Sequence, residues 1–158
     1  GAPKGAAPAQ AAPMAAAAQR AASSPTAAAL RAGDPARLPP GAMVYLNNCN
    51  ACHTSSGAGA DKTFPTLAGN PVVLAKDPSS LIRIVLSGSM MATTHGAPSP
   101  IAMPALGWRL NDDEVAGVLS FVRSAWGNQA AGVTPGQVAK VRATLAPQAA
   151  ASVPGSAR

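Results

Sequence analysis

Two cysteines and a histidine stand together in Cys49-Asn50-Ala51-Cys52-His53, and no other stretch of the chain concentrates so much reactive chemistry. Two thiols three positions apart, at the end of a helix, can reach two carbons on one edge of a planar macrocycle. The residue that follows then lies under a central metal. C-x-x-C-H is therefore the attachment pattern of a c-type haem, with the His53 imidazole as axial ligand. Two other chemistries use a C-x-x-C pair. A zinc site needs two further ligands; there is no third cysteine, and His95 is the only other histidine, so the set would be Cys₂His₂ with Cys52 and His53 adjacent. A redox dithiol of the thioredoxin kind belongs in a strand-rich fold and has no need of the histidine. The haem reading gives every residue of the motif a task and leaves no thiol for a disulfide.

An electron carrier closes its iron on both faces, and a thioether on the second face favours the ferrous state. The candidates are Met14, Met43, Met90, Met91, Met103 and His95. Met14 lies in a low-complexity arm, and Met43 precedes the motif on the same helix and faces the wrong way. Met103 stands before Pro104, and proline drives its predecessor out of helix into extended backbone. That puts Met103 on a loop ahead of a helix, able to drape over a porphyrin face, and makes it the favoured ligand. Met90 and Met91, just after Gly88, remain alternatives, as do His95 in a polar loop and an open site. For any methionine the competing role is core filler.

The elements that must position these residues are helical. The first follows Pro39-Pro40-Gly41 and runs to about Asn48. The second opens with Asp77 as cap and Pro78, carries Leu81, Ile82, Val85 and Leu86 on one face, and ends at Gly88. The third opens at Asn111 with Glu114 as capping-box partner. Its Val115, Val118, Leu119 and Val122 follow the i, i+3, i+4, i+7 rule, and it stops at Gly127-Asn128. A fourth starts at Thr134-Pro135 with Gln137 as box partner. No alternating strand is evident, so the expected class is all-α: three to four helices around one haem. The expected organisation is a flexible Ala/Pro-rich linker over 1–38, with a transient helical stretch near Met14–Ala22, and a haem domain over 39–128. A short C-terminal helix within 129–145 and a disordered tail over 146–158 follow.

Composition bounds the rest. The 158 residues are 47% hydrophobic, but much of that is alanine, and the five aromatics all fall between Tyr45 and Trp126. The net charge of +6 resides in the arms: within 41–128, Lys62, Lys76, Arg83, Arg109 and Arg123 balance Asp61, Asp77, Asp112, Asp113 and Glu114. Without a basic patch interleaved with aromatics, nucleic acid is excluded as a partner. No run reaches the length of a membrane span. Gly1 is no initiator methionine, so the N-terminus is expected to be processed or cut from something longer. A domain this small draws only ~3–5 kcal/mol from its own core, so the haem-free chain is expected to be largely unfolded.

The segment Gly41–Asn128 resembles a class I cytochrome c domain. Within that class it is similar to the C-terminal haem domain of the multi-haem cytochrome subunits of bacterial membrane-bound alcohol, gluconate and sorbitol dehydrogenases. The residues carrying the likeness are Cys49-x-x-Cys52-His53, Phe64-Pro65-Thr66-Leu67-Ala68-Gly69-Asn70-Pro71, Asp77 to Leu86, Ala102-Met103-Pro104, and Trp108-Arg109-Leu110 through Phe121-Val122-Arg123 to Trp126-Gly127-Asn128. The resemblance implies that Gly41 and Tyr45 lie where the N-terminal helix crosses the C-terminal one near Val118–Val122. It implies that the Pro65 carbonyl accepts a hydrogen bond from His53 Nδ1, the usual device for orienting a metal-bound imidazole. It further implies that Leu67, Leu81, Val85, Leu106 and Trp108 line the haem, with Trp108 as core packing the competing role. Arg83 is implied to pair with a propionate or, equally, to be an exposed helix arginine. The family's subunits carry three haem motifs and a membrane anchor, whereas this sequence has one motif; it reads as one domain of a longer subunit or as a mono-haem relative.

The resulting expectation is a non-enzymatic electron-transfer module cycling Fe(III)/Fe(II) with one covalent haem c. It would take single electrons from a partner dehydrogenase or neighbouring haem and pass them to a respiratory acceptor. Docking would occur at the haem edge near Cys49–Cys52, among small residues such as Ala51, Ala58 and Ala60. The expected location is the periplasm, at the outer face of the cytoplasmic membrane, with membrane association through a partner. A haem enzyme or gas sensor with an open distal site is the rival from another class. A tethering segment within a complex is a third reading.

Overall fold

The computed structural model describes residues 11–60, 63–90 and 102–145. Along them run α1 (Ala11–Ala22), α2 (Pro25–Ala32), a 3-10 turn (Pro35–Arg37), α3 (Ala42–Asn48), α4 (Asn50–His53), α5 (Pro71–Leu74), α6 (Ser79–Ser87), α7 (Asp112–Ser124) and α8 (Pro135–Arg142). Strand among the described residues amounts to one antiparallel pair, β1 (Ser89–Met90) with β2 (Ala102–Met103), in which Ser89 faces Met103. The expected all-α class is what is found.

The core is built where α3 crosses α7. Gly41 has φ +83°, and a Cβ there would sit 2.2 Å from the Gly117 carbonyl oxygen, so only glycine lets the two backbones come this close. Beyond the crossing, Tyr45, Phe121 and Trp126 form a buried triangle of rings with centroids 5.3–5.7 Å apart, tilted or edge to face. Each such pair adds about 0.5–1.5 kcal/mol beyond the area it buries.

Local signals place the helices. Asn111 caps α7 by accepting the Glu114 N–H at 2.8 Å, while the Glu114 carboxylate accepts the Asn111 N–H at 3.1 Å. Thr134 and Gln137 do the same for α8. At α6 the Asp77 carboxylate accepts both the amide and the hydroxyl of Ser79, at 2.9 and 2.6 Å. Leu81, Ile82, Val85 and Leu86 of α6, and Val138 and Val141 of α8, complete the core against α7.

In the N-terminal arm, expected as a flexible linker over 1–38 with a transient helical stretch near Met14–Ala22, α1 covers that stretch and α2 is a second helix that was not expected. Ser24 caps α2 through the Ala27 amide, Pro25 occupies its first turn, and Gly33 closes it in the left-handed conformation. Ala21, Ala27 and Leu30 are buried. Alanine lets α1 and its neighbours approach closely, as Ala17 does at Gly69, and this packing outweighs the weak helix-breaking signal of scattered prolines. No described helix is long and apolar enough to cross a membrane.

Candidate functional site

The motif forms its own helical turn. The amides of Cys52 and His53 both donate to the Cys49 carbonyl, at 3.2 and 2.9 Å, and wind α4 so that both sulfurs and the imidazole lie within one turn. Cys49 and Cys52 are free, half-buried thiols. Burial first, and the neighbouring Cys52 second, push the Cys49 thiol up to about 12. A thiol held in its protonated form is unsuited to redox-dithiol exchange, which needs the thiolate.

His53 is 8% exposed, and its Nδ1 lies 3.1 Å from the Pro65 carbonyl oxygen. A carbonyl only accepts, so Nδ1 carries the proton and Nε2 is left as a bare lone pair. Burial holds the imidazole's pKa below its ordinary value, with the Pro65 hydrogen bond working in the other direction. The ring is thus a neutral, oriented ligand.

The loop that delivers Pro65 is tied down from both ends. Gly59 N–H donates to the His53 carbonyl at 3.0 Å, and the Leu67 and Ala68 amides donate to the Gly57 carbonyl. The aromatic triangle holds the same loop. Tyr45 Oη donates to the Thr54 carbonyl at 2.7 Å, and Trp126 Nε1 donates to the Ser55 carbonyl at 2.9 Å. Thr54 has φ +65° and ψ 166°, a region that a β-branched residue occupies only under constraint. The α3–α7 crossing and the histidine's orientation are therefore mechanically joined through Tyr45.

Met103 lies on β2, partly buried against the core. Its strand pairs with β1, and the following amides of Leu106 and Gly107 donate to the Val85 and Leu86 carbonyls of α6, each at 3.0 Å. Gly88 permits this approach: a Cβ there would meet the Met103 carbonyl oxygen at 2.5 Å. Leu81, Val85 and Leu106 are buried and Leu67 partly so. Trp108 is 57% exposed, its Nε1 donating to the Ala105 carbonyl at 2.9 Å, so it is not packed into the protein core. Arg83 is exposed and donates to the Thr144 hydroxyl beside α8. Met91, His95 and the side chain of Met90 lie outside the described residues. Among the described residues no group of three or more His, Cys, Asp and Glu comes together to hold a metal.

Three polar residues that sequence reasoning passed over brace the site. Asn128 is buried. Its Oδ1 accepts the Gly69 amide at 2.9 Å, and its Nδ2 donates to the Leu67 and Val122 carbonyls, joining the Pro65 loop to α7. Arg123, 2% exposed, donates from Nε to the Ala131 carbonyl and from Nη1 to the Val73 and Ala75 carbonyls, at 2.6–2.8 Å. Arg142 donates to the Asp112 carboxylate and to the Gly107 and Leu110 carbonyls, fastening the turn that follows Met103. Arg123 was detectable in the sequence, since it stands four residues beyond Leu119 on the apolar stripe of α7. Asn128 and Arg142 bind carbonyls that only the fold brings near.

Two thiols and one oriented imidazole on a single helical turn suit the attachment of haem c. The family model for cytochrome c matches residues 39–126. The chain is 47% identical over 108 residues to the cytochrome c subunit of the quinone alcohol dehydrogenase of Gluconobacter oxydans, covering 68% of this chain and 23% of that subunit. It is 46% identical over 118 residues to the gluconate 2-dehydrogenase cytochrome c subunit of Pantoea cypripedii, covering 73% and 26%. Against cytochrome c-552 of Thermus thermophilus it is 34% identical over 92 residues, covering 56% of this chain and 69% of that protein. The chain spans about a quarter of the length of the two dehydrogenase subunits. Motif, fold and likeness agree: this chain belongs to the cytochrome c family and carries covalently bound haem c.

Proposed function

We propose that this chain is a one-electron relay in which Cys49 and Cys52 bond the haem and His53 and Met103 are its axial ligands. Bound haem c supplies a one-electron Fe(III)/Fe(II) couple. The observation that carries the reading is the His53 ring, with Nδ1 engaged by Pro65 and Nε2 without a partner among the described residues. The protein's part is to keep this arrangement fixed while charge changes. Pro65 prevents the imidazole from rotating and raises its basicity. Tyr45 and Trp126 hold the Thr54 and Ser55 carbonyls, and Asn128 holds Leu67, so the Pro65 carbonyl stays put. Leu67, Leu81, Val85, Leu106 and Trp108 would give the macrocycle apolar walls that exclude water. Rigidity here matters because a site that moves little between oxidation states transfers electrons with little reorganisation.

The likeness to cytochrome c subunits of dehydrogenases supports an electron donor of that kind, either a dehydrogenase cofactor or a neighbouring haem in a longer subunit. We assign the chain to the periplasmic side of the cytoplasmic membrane, feeding a respiratory acceptor, with no substrate bond made or broken by its own residues. Replacing Met103 tests the axial assignment. Oxidised wild-type protein should show the near-infrared methionine–iron charge-transfer band and resist carbon monoxide when reduced. Met103→Ala should lose the band and bind carbon monoxide. Wild-type protein that binds carbon monoxide readily would instead favour an open-site enzyme or sensor.

A further inference from the structure

We propose that a second site, away from the cysteine motif, binds a small oxyanion. A cavity of about 480 Å³ lies where α1 meets the α7–α8 connection, and three cations line it: Arg20 from α1, Lys76 after α5 and Arg123 from α7. Among the described residues no carboxylate pairs with any of them. Gathering three cations without a counter-charge is unfavourable through their mutual repulsion, and an anion in the cavity removes that cost.

Arg123 supplies the specific feature. Its Nε and Nη1 are used by the Ala131, Val73 and Ala75 carbonyls, and Nη2 has no acceptor among the described residues. The residue is 2% exposed and lines the cavity, and its three carbonyl partners hold the guanidinium rigidly in the cavity wall. The Ala75 carbonyl that it holds precedes Lys76, which fixes the backbone from which the second cation extends. The third arrives with α1, whose Ala17 lines the same cavity and packs at Gly69. Leu74 and Trp126 supply apolar wall. A buried guanidinium flanked by two exposed cations and apolar surface is chemistry for phosphate or a small carboxylate, and binding would hold α1 onto the domain.

The test uses the haem-loaded full chain, labelled with ¹⁵N, titrated separately with sodium phosphate and sodium succinate, with sodium chloride at matched ionic strength as reference. Arg20→Gln with Lys76→Gln, both at exposed positions, serves as the variant, since Arg123 substitution endangers folding. Saturable shifts at the Gly69, Ala130 and Ala131 amides with either oxyanion are expected, and about tenfold weaker binding in the variant, the loss of a charge-assisted hydrogen bond. Shifts that chloride reproduces, that do not saturate, or that the variant retains at wild-type affinity would overturn the proposal.

Discussion

The α3–α7 crossing gives the most discriminating test of the packing account, because it holds two glycines with opposite expectations. At Gly41 a Cβ would meet the Gly117 oxygen at 2.2 Å, its carbonyl carbon at 2.6 Å and the Phe121 Cβ at 3.1 Å. Two of these contacts are backbone, so no rotamer change relieves them, and the helices must part by roughly 1 Å to restore ordinary contact. Overpacking of this kind costs about 1–3 kcal/mol, and the left-handed backbone adds about 1–2 kcal/mol for a residue with a Cβ. Gly41→Ala should therefore lose about 2–5 kcal/mol, a large share of the ~5–15 kcal/mol that holds a domain together. At Gly117 the nearest atom to a new Cβ is Gly41 Cα at 3.9 Å, ordinary contact. Gly117 also sits mid-helix, where alanine gains up to about 1 kcal/mol in propensity. Gly117→Ala should be neutral or stabilising. Guanidinium unfolding of the two haem-loaded variants, followed by far-ultraviolet circular dichroism, measures both. Equal stabilities, or a Gly41→Ala loss below about 0.5 kcal/mol, would refute the claim that glycine is required by backbone approach.

Removing the Tyr45 hydroxyl with Tyr45→Phe leaves the Thr54 carbonyl without its 2.7 Å donor and should cost about 1–2 kcal/mol in chemical denaturation; an unchanged midpoint would show that the loop does not depend on this bond. Asp77 is fully exposed, and hydrogen bonds from the Ser79 hydroxyl and then its amide hold its carboxyl below the ordinary aspartate range. Its stabilisation is therefore present above that range and is lost as pH falls through the folded-state pKa. Asp77→Asn should flatten the acid limb of melting temperature against pH, and parallel acid limbs would contradict this.

Much of this architecture could be read from local signals. The caps of α7 and α8 are sequence patterns that satisfy orphan amides within four residues, so nothing distant is needed to see them. The C-x-x-C-H motif is legible for the same reason: its geometry is set by one turn of helix. Of the helical arm only the stretch near Met14–Ala22 was legible, because alanine and proline pull in opposite directions locally and the outcome depends on whether a surface exists for Ala21, Ala27 and Leu30 to pack on. Ser24-Pro25 and Gly33 do form a start and stop pair, a signal present but outweighed by composition. Asn128 and Arg142 escaped because each binds carbonyls more than thirty residues away. For Trp108, core packing was the competing role to lining the haem; it stands exposed, held by the Ala105 carbonyl in a turn whose position depends on α6 and Arg142.

The chemistry at positions 49 and 52 is tested most directly by an intact-mass measurement on purified mature protein, paired with its visible spectrum in strong denaturant. One porphyrin's mass beyond the polypeptide, colour that stays with the unfolded chain, and cysteines that resist alkylation are the predicted result. A colourless chain with two alkylatable thiols, or pigment that extracts into acidified solvent, would contradict it.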